Sequence, residues 1–120
     1  MADMENPGNP TNSFTACVTL LPDGMVGGGW GRASTVAIAK VVNGVLTDYR
    51  IEDVGWGALH DTGTEGSHHA RIVRFLNENG ATVVATGHMG DGMQNTLGKM
   101  GVKVYLDVSG DAKAALENLS

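Results

Sequence analysis

The chain alternates between short apolar runs and glycine-rich segments, and this pattern predicts an α/β domain. Apolar and polar residues alternate over residues 13–21, 33–42 and 45–54, which indicates three β-strands. The second and third runs are joined by Asn43-Gly44, the strongest short signal for a β-hairpin. We therefore expect the fold to begin with an antiparallel meander of three strands.

The second half of the chain predicts a strand–helix–strand unit. Residues 81–86 form an apolar, β-branched run, and the glycine-rich turn 87–92 follows it. A helix over residues 93–100, closed by Gly101, leads into a strand at 102–106. Such a crossover predicts a parallel strand pair. The glycine turn then lies at a strand's carboxyl end and a helix's amino end, where open α/β sheets bind ligands and anions are favoured.

The remaining segments complete a mixed five-stranded sheet flanked by helices. Residues 1–12 are rich in Pro, Asn and Gly and are expected to be a flexible tail, with residues 13–120 forming one domain. Ser67 is expected to cap a helix that ends at Gly80. The other predicted segments are two glycine-rich loops, a turn and a final helix: residues 22–31, 55–66, 109–111 and 111–119.

Composition and charge exclude several classes of protein. The 120 residues suit one domain, and the net charge of −5 argues against a nucleic-acid binder with a basic patch. A single cysteine, Cys17, allows neither an internal disulfide nor a Cys-x-x-Cys metal site, and we expect it to be a small core residue. No apolar run approaches the roughly 20 residues of a membrane span. We expect a cytoplasmic protein without a signal peptide or membrane contact.

Side chains that could contact an anion or a metal are concentrated near the glycine-rich segments. His88, at the end of the buried strand, is the strongest single candidate for a ligand. His68 and His69 fit equally well as a solvated first helical turn, because adjacent imidazoles on a helix point in different directions. Arg32 is more typical of a surface ion pair. Three methionines nearby are expected to be packing residues: Met25, Met89 and Met93.

An ordered set of motifs resembles a known protein family. The motifs are Gly31-Arg32-Ala33, Asn43-Gly44, residues 60–69, residues 72–80, Gly87-His88-Met89-Gly90 and residues 97–105. From about residue 14 to residue 119, the chain resembles the dinitrogenase iron–molybdenum cofactor biosynthesis family of NifX-type and NifB C-terminal domains. The resemblance implies a ribonuclease H-like fold and a non-enzymatic protein that binds or carries metal–sulfur clusters or their precursors. One branch is described as binding a molybdenum–copper sulfide cluster without cysteine ligation.

Two positions depart from the pattern of this family. The family usually has a histidine and a phenylalanine before Gly-Arg-Ala, where this chain has Gly29 and Trp30. The family's second glycine turn is commonly Gly-Gly-Ile-Gly, whereas this chain has His88 in that turn. We interpret this as a histidine lost from one loop and gained in another.

The resemblance therefore implies an anionic molybdenum–copper or iron–molybdenum–sulfur cluster, which we expect the glycine-rich loops to hold non-covalently. Such a cluster supplies its own sulfide ligands, so its host needs N–H donors, cations and an imidazole. The expected metal ligands are His88 and His60, although His60 also fits a plain loop residue. Cofactor-assembly or accessory proteins are the expected partners. The predicted cluster contacts are Gly28, Gly29, Arg32, His60, His68, Gly87, His88, Met89 and Gly90.

The topology predicts where these residues meet. The Asn43-Gly44 turn occupies one end of the hairpin, so the open ends lead to the other end of the sheet. Loops 25–31, 55–66 and 87–92 are expected to converge there, with His88 beside His60 and Arg32.

Two other functions stay open. One is a protein-interaction module without a metal. The other is a nuclease, but that chemistry needs clustered carboxylates, and Asp48, Glu52 and Asp53 form no evident cluster. The glycine turn is not a dinucleotide fingerprint, and no P-loop lysine follows it.

Overall fold

The computed structural model describes residues 13–59 and 65–119. The predicted tail 1–12 and His60 lie outside the described residues. The described part is a mixed α/β fold with a seven-stranded sheet and four α-helices. Its elements are β1 (Ser13–Leu20), β2 (Met25–Val26), the 3-10 helix η1 (Trp30–Arg32), β3 (Thr35–Val42), β4 (Val45–Asp53), α1 (Trp56–Leu59), α2 (Glu65–Asn79), β5 (Val83–Ala85), α3 (Asp91–Lys99), β6 (Lys103–Tyr105), β7 (Gly110–Asp111) and α4 (Ala112–Glu117).

Five of these strands form the main sheet, in the order β4-β3-β1-β5-β6. Strands β1, β3 and β4 pair antiparallel, which confirms the predicted meander. Its hairpin turns at Asn43 and Gly44, whose φ values of 53° and 80° are the left-handed pair that a type I′ turn requires. Strand β5 pairs parallel with both β1 and β6, which confirms the predicted unit around α3.

The two shortest strands correct a predicted turn. Gly110 and Asp111, expected within a turn, form β7 and pair antiparallel with β2. This pairing joins residues far apart in the chain, and two-residue strands carry no periodic pattern that sequence analysis could detect. Met25 lies in β2 and is 42% exposed, so its predicted packing role is wrong.

The predicted loop 55–66 contains a helical turn, and its boundary with the next helix was wrong. Trp56 begins α1 and is buried against Trp30 and Phe75, with ring centroids 5.1 and 5.6 Å apart in edge-to-face contacts. This packing overrides the weak helix propensity of a glycine-rich segment. Because α2 starts at Glu65, Ser67 lies inside the helix and does not cap it.

The core occupies both faces of the sheet. Helices α1, α2 and α3 contribute to the cluster on one face, and α4 contributes to the cluster on the other. Cys17 is fully buried on the three-helix face, which confirms it as a core residue. Burial raises the pKa of its thiol well above the ordinary range. Among the described residues, no helix has both the length and the apolar character that a bilayer span requires.

Candidate functional site

A cleft of about 380 Å³ opens where β5 ends and α3 begins. This volume lies within the usual range of small-ligand sites. Its walls come from the η1 segment, the first turns of α2, the turn after β5 and the first turn of α3. The lining residues are Gly29, Trp30, Gly31, Arg32, His68, His69, Ile72, His88, Met89, Gly90, Gly92 and Met93.

Two of the three glycine-rich segments are joined into one wall of this cleft. The His88 amide donates to the Gly28 carbonyl at 3.0 Å, and the Trp30 amide donates to the His88 carbonyl at 2.8 Å. The two segments therefore run side by side as a short parallel bridge at Gly29 and His88. This confirms the predicted approach of the first and third loops.

A buried pair of threonine hydroxyl groups stabilises this wall. Thr19, in β1, and Thr86, directly after β5, are both fully buried, with their Oγ1 atoms 2.8 Å apart. Thr19 Oγ1 donates to the Gly27 carbonyl at 3.0 Å. A hydroxyl has one proton, and the Gly28 carbonyl is farther from Thr86 Oγ1, at 3.5 Å, so the short contact is assigned to Thr86 as the donor to Thr19. This chain of bonds ties the first glycine loop to the ends of the two central parallel strands.

Gly87 allows the two loops to come this close. A Cβ at Gly87 would lie 2.8 Å from the Gly28 oxygen and 3.0 Å from the Gly28 nitrogen. Both atoms belong to the backbone and cannot rotate away. The requirement for glycine here is steric, since the φ of Gly87 is not among the left-handed values.

His68 is a structural residue of the cleft wall. The solvated position left open by the sequence is wrong for it, because its side chain is 3% exposed. The Arg71 guanidinium donates to Nδ1 at 2.8 Å, and Nε2 lies 2.9 Å from the Gly31 carbonyl. Since arginine cannot accept a hydrogen bond, Nδ1 is the acceptor and Nε2 carries the proton that Gly31 accepts. His68 thus fixes the η1 segment.

The other two histidines of the cleft differ in exposure. His88 is exposed at the mouth, as expected for a ligand candidate at a strand end. His69 is half-buried, and its Cε1 lies 3.7 Å from the position that a Cβ would occupy on Gly92. His68 and His69 therefore both line the cleft although they are adjacent in α2.

The described lining of the cleft differs in charge from the protein as a whole. Among the side chains that the structure describes, it includes Arg32 and three histidines but no Asp or Glu, whereas the chain has a net charge of −5. Helix α3 begins there, and its N-cap Gly90 provides no side-chain cap for the first backbone N–H groups. Asp91 lies in the first turn of α3 but is not part of the lining. An anion is the guest that this arrangement favours.

Most predicted contact residues lie at the cleft. Gly28 and Gly87 lie in the joined loops but outside the lining. The described part of the second loop does not line the cleft either: the Gly57 amide donates to the Ala33 carbonyl at 3.2 Å, directly beside η1. His60 is outside the described residues. The predicted contacts found in the lining are Gly29, Arg32, His68, His88, Met89 and Gly90.

Sequence analysis missed five lining residues and gave His69 little weight. Ile72 was placed on the apolar face of the helix, and His68 lies four residues before it on that same face. That spacing was the sequence signal that could have predicted His68 in the wall of the cleft. Met89 and Met93 are buried, as predicted for packing residues, and also line the cleft. The missed residues are Trp30, Gly31, Ile72, Gly92 and Met93.

Within residues 13–59 and 65–119, no group of three or more His, Cys, Asp or Glu side chains is arranged to hold a metal ion. The carboxylates Asp48, Glu52 and Asp53 lie on the edge strand β4, where Glu52 accepts a 2.7 Å bond from Arg50.

Comparison with known proteins gives one family and two related folds. The family model described as "Dinitrogenase iron-molybdenum cofactor" matches residues 15–120. The structure titled "Crystal structure of PH0822" is 15% identical with a TM-score of 0.68, covering 88% of this chain and 90% of that chain. The apo form of the orange protein (ORP) from Desulfovibrio gigas is 22% identical with a TM-score of 0.61, covering 91% of this chain and 88% of that one. At these identities the likeness is one of fold. No curated protein matches the sequence.

Proposed function

Because the chain belongs to the dinitrogenase iron-molybdenum cofactor family, we propose that its cleft binds and carries an anionic metal–sulfur cluster or a precursor of one. The family membership confirms the resemblance seen in the ordered motifs. We propose a molybdenum–copper or iron–molybdenum–sulfur cluster, bound without a covalent link to the protein. The protein is then a carrier and not an enzyme, and cofactor-assembly proteins are its partners.

The observation that carries this proposal is the reversal of charge at the cleft. Arg32 and the histidines line it, no carboxylate among the described side chains does, and the amino end of α3 adds its partial positive charge. Elsewhere the acidic excess repels a polyanion. A unit charge about 4 Å from another is worth roughly 1 kcal/mol in water and roughly 4 kcal/mol at the lower effective dielectric of a protein surface. An anionic cluster beside Arg32 therefore gains attraction of this order, which is offset by the cost of removing the charges from water.

The residues present also fit a cluster that brings its own sulfide ligands. Cys17 is fully buried within the core, and its raised pKa disfavours the thiolate that would bind a metal. His88 and His69 offer imidazoles at the mouth and the wall of the cleft. His68 has both ring nitrogens engaged by protein groups, so its role is to position Gly31.

Anaerobic reconstitution with tetrathiomolybdate and Cu(I) tests the proposal. We expect a coloured protein that retains molybdenum through gel filtration and shows charge-transfer absorption. Arg32→Gln should weaken retention, whereas Arg50→Gln on β4, outside the cleft, is the matched control and should not. His88→Ala should weaken it more than His69→Ala, because His88 is exposed at the mouth.

Cys17→Ser separates this binding mode from thiolate ligation. The folded variant should load as the wild type does, and complete loss of loading would show that the cluster is bound by a thiolate. A protein that stays colourless and retains no metal would favour the interaction module.

The ribonuclease H-like arrangement of the sheet and the cellular location of the protein are further proposals. The strand order β4-β3-β1-β5-β6, with one antiparallel and one parallel half, supports a ribonuclease H-like arrangement. The cytoplasmic location expected from the sequence stays a prediction.

A further inference from the structure

The indole of Trp30 carries the one buried side-chain donor in the described residues that has no hydrogen-bond partner. The side chain is 1% exposed and lines the cleft. More than nine in ten buried polar groups in proteins are paired, and an unpaired one lowers stability. Packing explains the size of the ring at this buried position but provides no partner for its N–H donor.

The ring is held in place from two directions. It packs edge-to-face against Trp56, with centroids 5.1 Å apart and planes at 66°. The Trp30 amide is bonded to the His88 carbonyl, so the backbone is fixed to the opposite loop. The donor is thus on an ordered side chain in the wall of a cleft whose other polar groups favour anions.

We propose that the Trp30 indole N–H donates a hydrogen bond to a sulfide or oxo atom of the anion bound in this cleft. The proposal rests on the proposed function and adds to it a requirement for an acceptor atom at the Trp30 wall. An indole N–H is a donor only, and hydrogen bonds to charged acceptors are the stronger kind. The atom is shielded from solvent, so the contact requires a small local movement.

Nitrogen-15 NMR of the full chain tests this directly, because the protein has only two tryptophans and hence two indole N–H signals. Trp30→Phe assigns its signal by removing it, and Trp56→Phe gives the same assignment independently if the first variant does not fold. With tetrathiomolybdate as the probe, under anaerobic conditions, we expect the Trp30 indole proton to shift downfield. This shift should reach its plateau at the same tetrathiomolybdate concentration as the shifts of the Gly90 and Gly92 backbone amides.

Affinity gives the second readout. Trp30→Phe should bind tetrathiomolybdate about tenfold or more weakly, as expected for one hydrogen bond to a charged group. Tyr49→Phe is the control, since Tyr49 packs on the opposite face of the sheet and does not line the cleft, and its affinity should stay within about twofold of the wild type. Circular dichroism without the probe checks that Trp30→Phe is folded, because its smaller ring leaves a cavity that lowers stability.

Three results would overturn the inference. If the Gly90 and Gly92 amides shift while the Trp30 indole signal stays fixed, the N–H is satisfied by the face of Trp56, and cluster binding stands without it. Equal affinities of Trp30→Phe and the wild type would likewise show that the indole donates nothing to the bound anion. If no signal moves at all, the proposed function itself fails.

Discussion

Replacement of Gly87 by alanine tests whether the two glycine loops form one wall. The added Cβ would lie 2.8 Å from the Gly28 carbonyl oxygen, closer than real Cβ atoms come to other heavy atoms. Two responses are possible. In the first, the surrounding atoms stay in place and the Cβ overlaps with them; in the second, the first glycine loop separates from the turn after β5. The first costs about 1–3 kcal/mol by analogy with other overpacked sites. The second breaks the 3.0 Å bond from His88 to Gly28 and the 2.8 Å bond from Trp30 to His88, each worth about 1 kcal/mol.

Both routes predict a loss of about 2 kcal/mol in the free energy of unfolding, which lowers the melting temperature by roughly 8 °C in a domain of this size. Urea unfolding followed by circular dichroism measures the loss. Hydrogen exchange locates it, because the Trp30 and His88 amides should exchange faster than those of β1. Cluster retention should fall as well, since the wall of the cleft is no longer fixed.

Gly98→Ala is the control. Gly98 lies in α3 with no atom within 4 Å of its Cβ position, so alanine there should stabilise the protein by about 0.5–1 kcal/mol. If Gly87→Ala were as stable as the wild type with the Trp30 amide still protected, the close approach of the loops would be refuted.

Three further outcomes follow from single contacts. The free energy of unfolding should fall as pH rises above about 8.5. Burial raises the pKa of Cys17, and burial together with the charge of Asp111 raises the pKa of Tyr49. The folded state therefore retains protons that the unfolded chain releases. Urea curves between pH 7 and pH 10.5 measure this fall, and Cys17→Ala should remove the part that begins near pH 8.5. Asp111→Ala should cost about 1 kcal/mol by removing the α4 cap, in which its carboxylate accepts from the Ala114 amide at 2.9 Å. Thr86→Val should cost about 1 kcal/mol and speed exchange of the Trp30 amide, whereas Thr86→Ser should not.

Each of these outcomes has a result that contradicts it. Equal stability at pH 7 and pH 10.5 would exclude the pKa effect. An Asp111→Asn variant as unstable as Asp111→Ala would show that the cap is not the cause, because asparagine caps helices equally well. Unchanged exchange in Thr86→Val would mean that the hydroxyl pair does not hold the loop.

The sequence by itself determined the regular elements of this protein. Alternation predicted the three long strands, Asn43-Gly44 predicted their hairpin, and Gly80 and Gly101, with φ values of 66° and 80°, closed the two long helices as expected. These features depend on neighbours within a few positions, so the local pattern contains them. The same reasoning predicted the candidate site at the turn after residues 81–86, where the structure has its cleft, because that position follows from the order of strand and helix.

Only the tertiary structure decided how the site is built. Thr19 and Thr86 bond across 67 positions of the chain, and His68 reaches Gly31 across 37. Trp30, in a segment that the sequence predicted as loop, became a buried wall of the cleft because Trp56 packs against it. No local pattern encodes such pairs, since their energy depends on which distant atoms the folded chain brings within a few ångströms. Packing therefore decides whether a histidine is held in the wall or exposed at the cleft, and only the folded chain distinguishes His68 from His88.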